Sequence, residues 1–133
     1  MPLTIAQRNK LIDHQLGKTA YTMPTVYVAL SSTTPVIAGT GVTEPSGGGY
    51  ARVATSGATW SAAAGGTTSN AAAITFPTAT ADWASGANLT YGLLYDAPTA
   101  GNFLGFGVLT VAKNCLNGDT ISIAIGGLTV TFS

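Results

Sequence analysis

His14 and Cys115 are the only histidine and the only cysteine in the chain, so any Ser-His-Asp, Cys-His or zinc chemistry would have to run through them. A nucleophile needs a base within hydrogen-bond reach and a third group to orient that base. His14 stands next to Asp13, but in a helical stretch adjacent side chains point to different sides, and no serine sits in a Gly-x-Ser-x-Gly elbow. One histidine and one cysteine cannot build a zinc site. Asp82, Asp96, Asn117 and Asp119 offer hard oxygen ligands, yet the alternating Asp/Asn pattern closed by Glu that marks a calcium loop is absent. Asn117-Gly118-Asp119 reads instead as a turn. The acidic residues fall in unrelated turns, which does not suggest the paired carboxylates of a glycosidase. These residues predict a protein that is not an enzyme, with no cofactor and no metal.

The run Gly47-Gly48-Gly49 raises the question of phosphate binding. A phosphate loop ends in Gly-Lys-Ser/Thr and opens a helix, whereas this run leads into Tyr50-Ala51-Arg52-Val53, which alternates as a strand. Two uses remain for the glycines, a flexible arm or a close backbone approach. Glu44 and Arg52 flank the run and are matched for a salt bridge that fixes it, within the chain or across subunits. Cys115 reads as a small, semi-buried filler. The aromatics Trp60, Trp83, Tyr21, Tyr27, Tyr50, Tyr91 and Tyr95 lack the basic interleaving of a single-strand nucleic-acid platform. Core packing is their commoner use, with carbohydrate stacking the other. Asn88-Leu89-Thr90 spells a glycosylation sequon, but the N-terminus has charges where a secretory signal needs an apolar core, and the sequon is read as chance.

The elements that position these residues follow from period and composition. The chain has 133 residues with five basic and five acidic side chains, net charge +0, 46% hydrophobic residues and only 8% charged ones. One domain fits this length. The balanced charge creates no field for phosphate backbones or anionic lipid, so neither nucleic acid nor membrane is an expected partner. A charge density about a third of the usual one predicts that much of the surface meets other subunits.

Helical spacing occurs once. Thr4 suits an N-cap, Ile5, Leu11, Ile12 and Leu16 form an apolar stripe, and Gly17 suits the left-handed position past a helix end. This predicts one amphipathic helix over residues 4–16, with Arg8, Lys10 and Asp13 on its polar side. From there the period is 2. Strands are expected at 25–30, 50–55, 71–76, 89–95, 102–111, 120–125 and 128–132, with a Gly/Pro-rich loop at 31–49 and a small, flexible stretch at 62–69. Leu89, Tyr91, Leu93 and Tyr95 should share one face. Asn117-Gly118 and Gly126-Gly127 are read as hairpin turns. The expected fold is all-β, a jelly-roll-like sandwich of seven to eight strands with one N-terminal helix. The division is residues 1–18 as a helical arm and 19–133 as the β-sandwich.

Several stretches carry a resemblance. Residues 10–22 followed by Val26-Tyr27-Val28-Ala29-Leu30, then Thr43-Glu44-Pro45-Ser46-Gly47-Gly48-Gly49-Tyr50-Ala51-Arg52, then residues 73–80 and Tyr91-Gly92-Leu93-Leu94-Tyr95-Asp96, resemble a family of small virion proteins of tailed bacteriophages. Members are labelled tail fibre proteins, and similar sequences serve as jelly-roll cement or decoration proteins. The resemblance implies a virion component. With no sustained heptad and no internal repeat of a fibre shaft, the sequence reading favours a cement protein on the outer capsid surface. Its partners would be the major capsid protein and further copies of itself, as dimer or trimer. A tail fibre or glycan-reading host-recognition module is the alternative. The interface residues expected are Arg8, Lys10 and Asp13 on the helix and Glu44, Gly47, Gly48, Gly49, Tyr50 and Arg52 in the loop.

Overall fold

The computed structural model describes residues 2–132. Its helix α1 (Ile5–Gln15) begins where the sequence predicts: the Thr4 hydroxyl accepts the Gln7 N–H, supplying a partner for one of the four orphan donors of the first turn. Past its end, Gly17 takes φ +75° and donates to His14 O. Eight strands follow: β1 (Tyr27–Ser31), β2 (Val53–Ala54), β3 (Thr67–Ser69), β4 (Ile74–Thr75), β5 (Leu89–Tyr95), β6 (Phe103–Lys113), β7 (Ser122–Ile123) and β8 (Thr129–Thr131). All their pairings are antiparallel, in one four-stranded sheet ordered β2-β1-β5-β6 and two ribbons, β3-β8 and β4-β7. The fold is an all-β sandwich with one short helix.

The main core lies between the four-stranded sheet and the ribbons. Val28 and Leu30 of β1, Leu89 and Leu94 of β5, and Leu104 and Leu109 of β6 pack there with Ile74, Phe76, Trp83, Ile121, Ile123 and Leu128. The opposite face of the same sheet buries Ala29, Leu93 and Phe106, covered by Val42, Tyr91, Tyr95 and Phe103. This two-sided burial is what the apolar run of β6 predicts. The chain's first residues stitch the layers together. Leu3 bridges Gly105 of β6 and Pro2 bridges Thr131 of β8, while Leu109 bridges Leu128. The close approach needs Gly107, where a Cβ would strike the Thr129 carbonyl oxygen and lie 2.8 Å from Leu128 Cδ1.

Four expectations are corrected. The stretch 62–69 is not simply flexible, since Thr67–Ser69 pairs with β8, a partner more than sixty residues away in sequence. Leu89 does not share a face with Tyr91, Leu93 and Tyr95: the ladder with β6 shifts register between Leu89 and Tyr91, which turns Leu89 into the main core. Asn117-Gly118 turns the chain without making a hairpin. Asn117 N–H donates to Asp82 and Gly118 N–H to Ala79 O, so the turn is held by another loop, and the strands on either side join different sheets. Likewise Gly126-Gly127 joins β7 and β8, which pair with β4 and β3 rather than with each other.

The apolar stripe of α1 does not face the core. Thr4 and Gln7 are buried and Leu11 is half-buried, whereas Ile5 (46%), Ile12 (48%) and Leu16 (78%) are exposed. The anchor is polar: Thr4 donates from its hydroxyl to Phe103 O at 2.8 Å and from its backbone N–H to Leu104 O, and Ile5 N–H bonds Ile37 O in the long loop. Hydrogen bonds at the helix start therefore set its orientation and turn the Ile5, Ile12 and Leu16 side chains outward.

Candidate functional site

The loop that sequence reading singles out, residues 43–52, closes on itself. At its start Ser32 N–H bonds Thr43 O and Thr43 N–H bonds Ser31 Oγ, so the whole excursion from β1 is tied back to the strand that it leaves. Gly47, Gly48 and Gly49 all hold positive φ, at +71°, +60° and +77°, a run of left-handed backbone that L side chains resist. Gly48 O then accepts both the Trp83 indole N–H, at 2.8 Å, and Thr80 N–H. Of the two uses left open for the glycines, the structure has the close backbone approach. The run is an internal clasp over Trp83, not a free arm.

Beyond the clasp, Tyr50 and Arg52 converge on Glu44. Arg52 donates from Nε to Glu44 Oε2 at 2.8 Å and from Nη2 to Oε1 at 2.9 Å, the fork geometry that makes arginine–carboxylate pairs strong. Its Nη1 donates to Ala97 O and Ala100 O at 2.9 and 2.8 Å, and the guanidinium lies 3.7 Å above the Tyr95 ring. Tyr50 donates its hydroxyl proton to Glu44 Oε2 at 2.7 Å and accepts Leu30 N–H of β1. The salt bridge expected between Glu44 and Arg52 forms within the chain, with the Arg52 side chain only 6% exposed.

Electrostatics here follow packing. The hydrogen bond to Glu44 holds the Arg52 pKa above its ordinary value. Burial, then the Glu44 carboxylate, push the Tyr50 phenol well above its usual range, and burial does the same more mildly for Tyr95. Both phenols stay neutral, Tyr50 as a donor, so the cluster consumes its own donors and acceptors. Chemically it is a brace joining the long loop, β1 and the β5–β6 turn. At that turn Asp96 accepts from the Asn102 side chain and backbone, which lowers its pKa.

Arg8, Lys10 and Asp13 lie apart from this brace, on α1. Lys10 Nζ sits 5.9 Å from the Tyr21 ring centre and adds its charge to the field that favours ionised Asp96. Arg8 Nε donates to Leu3 O at 3.1 Å, and Asp13 is exposed. Lys10 and Arg52 thus act on the β5–β6 turn from two directions without forming one site.

The remaining chemical candidates are also occupied. His14 Nδ1 accepts Tyr21 N–H at 3.0 Å, and no cluster of three metal-ligating side chains exists among the described residues. Cys115 is buried, and burial, with Asp119 and Asp82 adding to it, raises its thiol pKa away from reactivity. A polar cleft of about 360 Å³ is lined by Ser32, Thr43, Glu44, Ser46, Asp82 and Ser85 among others. Its aromatic neighbour Trp83 is buried with its N–H committed to Gly48. Trp83 is buried, and the other tryptophan and the tyrosines are half-buried. What sequence reading missed is the apolar surface: Ile12 and Leu16 line a groove of about 470 Å³ with Phe132, Leu11, His14 and Gln15. The stripe was visible in the spacing; its outward direction was not.

Comparison with known proteins gives one family. The family model described as podophage GP4 fiber I protein gp80 matches residues 2–131. No curated protein matches.

Proposed function

The chain belongs to the podophage GP4 fiber I protein gp80 family and is a phage structural protein of the virion; from that premise we propose that it is a non-enzymatic building block of the fibre, a rigid β-module that holds neighbouring fibre subunits in place. The observation that carries this reading is the match itself, which spans nearly the entire chain under the description of a fiber protein. Two structural features support it. The polar groups of the 43–52 loop are spent on bracing the fold, as suits a part that carries load rather than turns over substrate. Large apolar side chains stand outside, with Ile12, Leu16 and Phe132 lining one groove, and contiguous apolar surface marks interaction sites.

A second reading, cement protein of the shell, draws support from the compact sandwich and the absence of a shaft-like repeat in the sequence. A protein that binds only the assembled shell would stabilise it by about 1.4 kcal/mol for each tenfold excess over its dissociation constant. Gold-labelled antibody against the chain, applied to purified virions, separates the two. Gold on the fibres is expected; gold around the capsid outline overturns the fibre reading in favour of cement.

A further inference from the structure

The outward face of α1 has the pattern of a self-association seam. Ile5, Asn9, Ile12 and Leu16 are spaced by four, three and four residues, which at about 100° per residue places them in one row. All four are exposed. The residues that dock the helix on the body, Thr4, Gln7 and Leu11, form another row with the complementary spacing of three and four, on the side turned away from the seam. Copies meeting seam to seam would therefore keep their β-bodies on the outside.

The charges beside the seam are matched for a parallel arrangement. Arg8 precedes Asn9 on one flank and Asp13 follows Ile12 on the other, five residues apart. In parallel helices around a rotation axis, the first flank of one chain meets the opposite flank of its neighbour five residues on, the e/g pairing of coiled coils. Within the chain these two charges have no ion-pair partner among the described residues, where Glu44–Arg52 is the salt bridge formed. Arg8 uses only Nε, toward Leu3 O, and the Asp13 carboxylate makes no hydrogen bond there. An antiparallel pair would set like flanks against each other, Arg8 side to Arg8 side, and gains nothing from these charges.

We infer that copies of this chain associate through α1 as a parallel, rotationally symmetric oligomer, with Ile5, Asn9, Ile12 and Leu16 at the axis and Arg8 of each copy paired to Asp13 of the next. The spacing puts Asn9 and Leu16 at a positions and Ile5 and Ile12 at d positions of a heptad; leucine at a with isoleucine at d favours three or more strands over two, and Asn9, enclosed on association, fixes the register. The groove between Leu16 and Phe132 continues the apolar contact beyond the helix end. The proposal does not depend on where in the virion the protein sits.

The test is the mass of the purified full chain in solution, by light scattering and sedimentation over a concentration series, for the native sequence, Arg8→Glu, Asp13→Lys and the double reversal. Three or more times 13.3 kDa is expected for the native chain. Each single reversal should raise the concentration at half-dissociation at least about tenfold, the size of one close charge pair, and the double reversal should restore it. A native monomer or dimer overturns the proposal, as does indifference to single reversal or failure of the double to recover. Asp13 is exposed and its carboxylate makes no hydrogen bond among the described residues, so Asp13→Lys and Ile12→Asp, checked for native tryptophan emission, keep the test decisive if Arg8→Glu does not fold. Dissociation by both is expected, and an unchanged oligomer contradicts the seam.

Discussion

Glu44 and Arg52 meet at two points, 2.8 and 2.9 Å apart, across the clasp formed by Gly47, Gly48 and Gly49. The same guanidinium caps the Tyr95 ring and the carbonyls of Ala97 and Ala100, so one side chain ties the long loop to the β5–β6 turn. Removing Glu44 leaves a largely enclosed cation without its counter-charge. Breaking such a pair from one side typically costs roughly 3–5 kcal/mol. Glu44→Ala should lower the urea midpoint accordingly, with Tyr50→Phe, which removes both hydrogen bonds of the hydroxyl and strands the buried Leu30 N–H, costing about 1–3 kcal/mol. A Glu44→Ala midpoint within error of the native one would show that the brace carries no stability.

The clasp predicts a contrast between neighbouring glycines. Gly47 has open space around it, so Gly47→Ala should cost only the left-handed backbone penalty of about 1–2 kcal/mol. At Gly48 a Cβ would also lie 3.2 Å from Ala81 O and from Trp83 Cδ1. Gly48→Ala should cost more and shift Trp83 emission. Deleting residues 46–49, which an arm would tolerate, should unfold the region around Trp83; native near-ultraviolet circular dichroism of the deletion variant would contradict the clasp.

Much of this was legible beforehand because it is local. Thr4 as cap, Gly17 past the helix end, the extent of β5 and the pairing of Glu44 with Arg52 follow from side-chain chemistry acting over a few residues. What depended on distant partners was not. The Thr67–Ser69 strand is short and polar, and becomes a strand because β8 and the Thr67–Thr131 hydroxyl contact hold it. Spacing marks an apolar stripe on α1 but not where it points; Thr4 bonds to Phe103 O and turns it outward. Asn117-Gly118 has hairpin residues, yet Asp82 and Ala79 claim its N–H groups.

Gly107 tests the closure of the sandwich. Its Cβ would collide with Thr129 O and crowd Leu128, neither of which is free to move while β8 pairs with β3. Gly107→Ala should destabilise the fold by about 1–3 kcal/mol, the usual cost of overpacking, seen as a lower thermal midpoint. No change would mean that β6 and β8 are less tightly apposed than described.

Asp96 supplies a pH dependence with a definite sign. Its pKa is lowered in the fold, chiefly by the Asn102 side chain, so its contribution is present above the ordinary carboxylate value near 4 and is lost as pH falls through the folded value. Asn102→Ala should move the Asp96 titration, followed by NMR, upward toward that ordinary value and flatten the acid-side loss of stability. An unmoved titration would assign the lowering to other groups.

Cys115 should behave as an inert thiol. Buried and held protonated by its surroundings, it should react with a thiol reagent only at the rate of unfolding, and at ordinary thiol speed in denaturant. Fast modification of the native protein would contradict its placement in the core.

Membership of the fibre is tested by the copy number of this chain in purified virions, obtained by quantitative mass spectrometry against the major capsid protein. A handful of copies per particle, in whole multiples of one oligomer, is expected. Hundreds of copies, in fixed proportion to the shell protein, would contradict it and place the protein on the capsid.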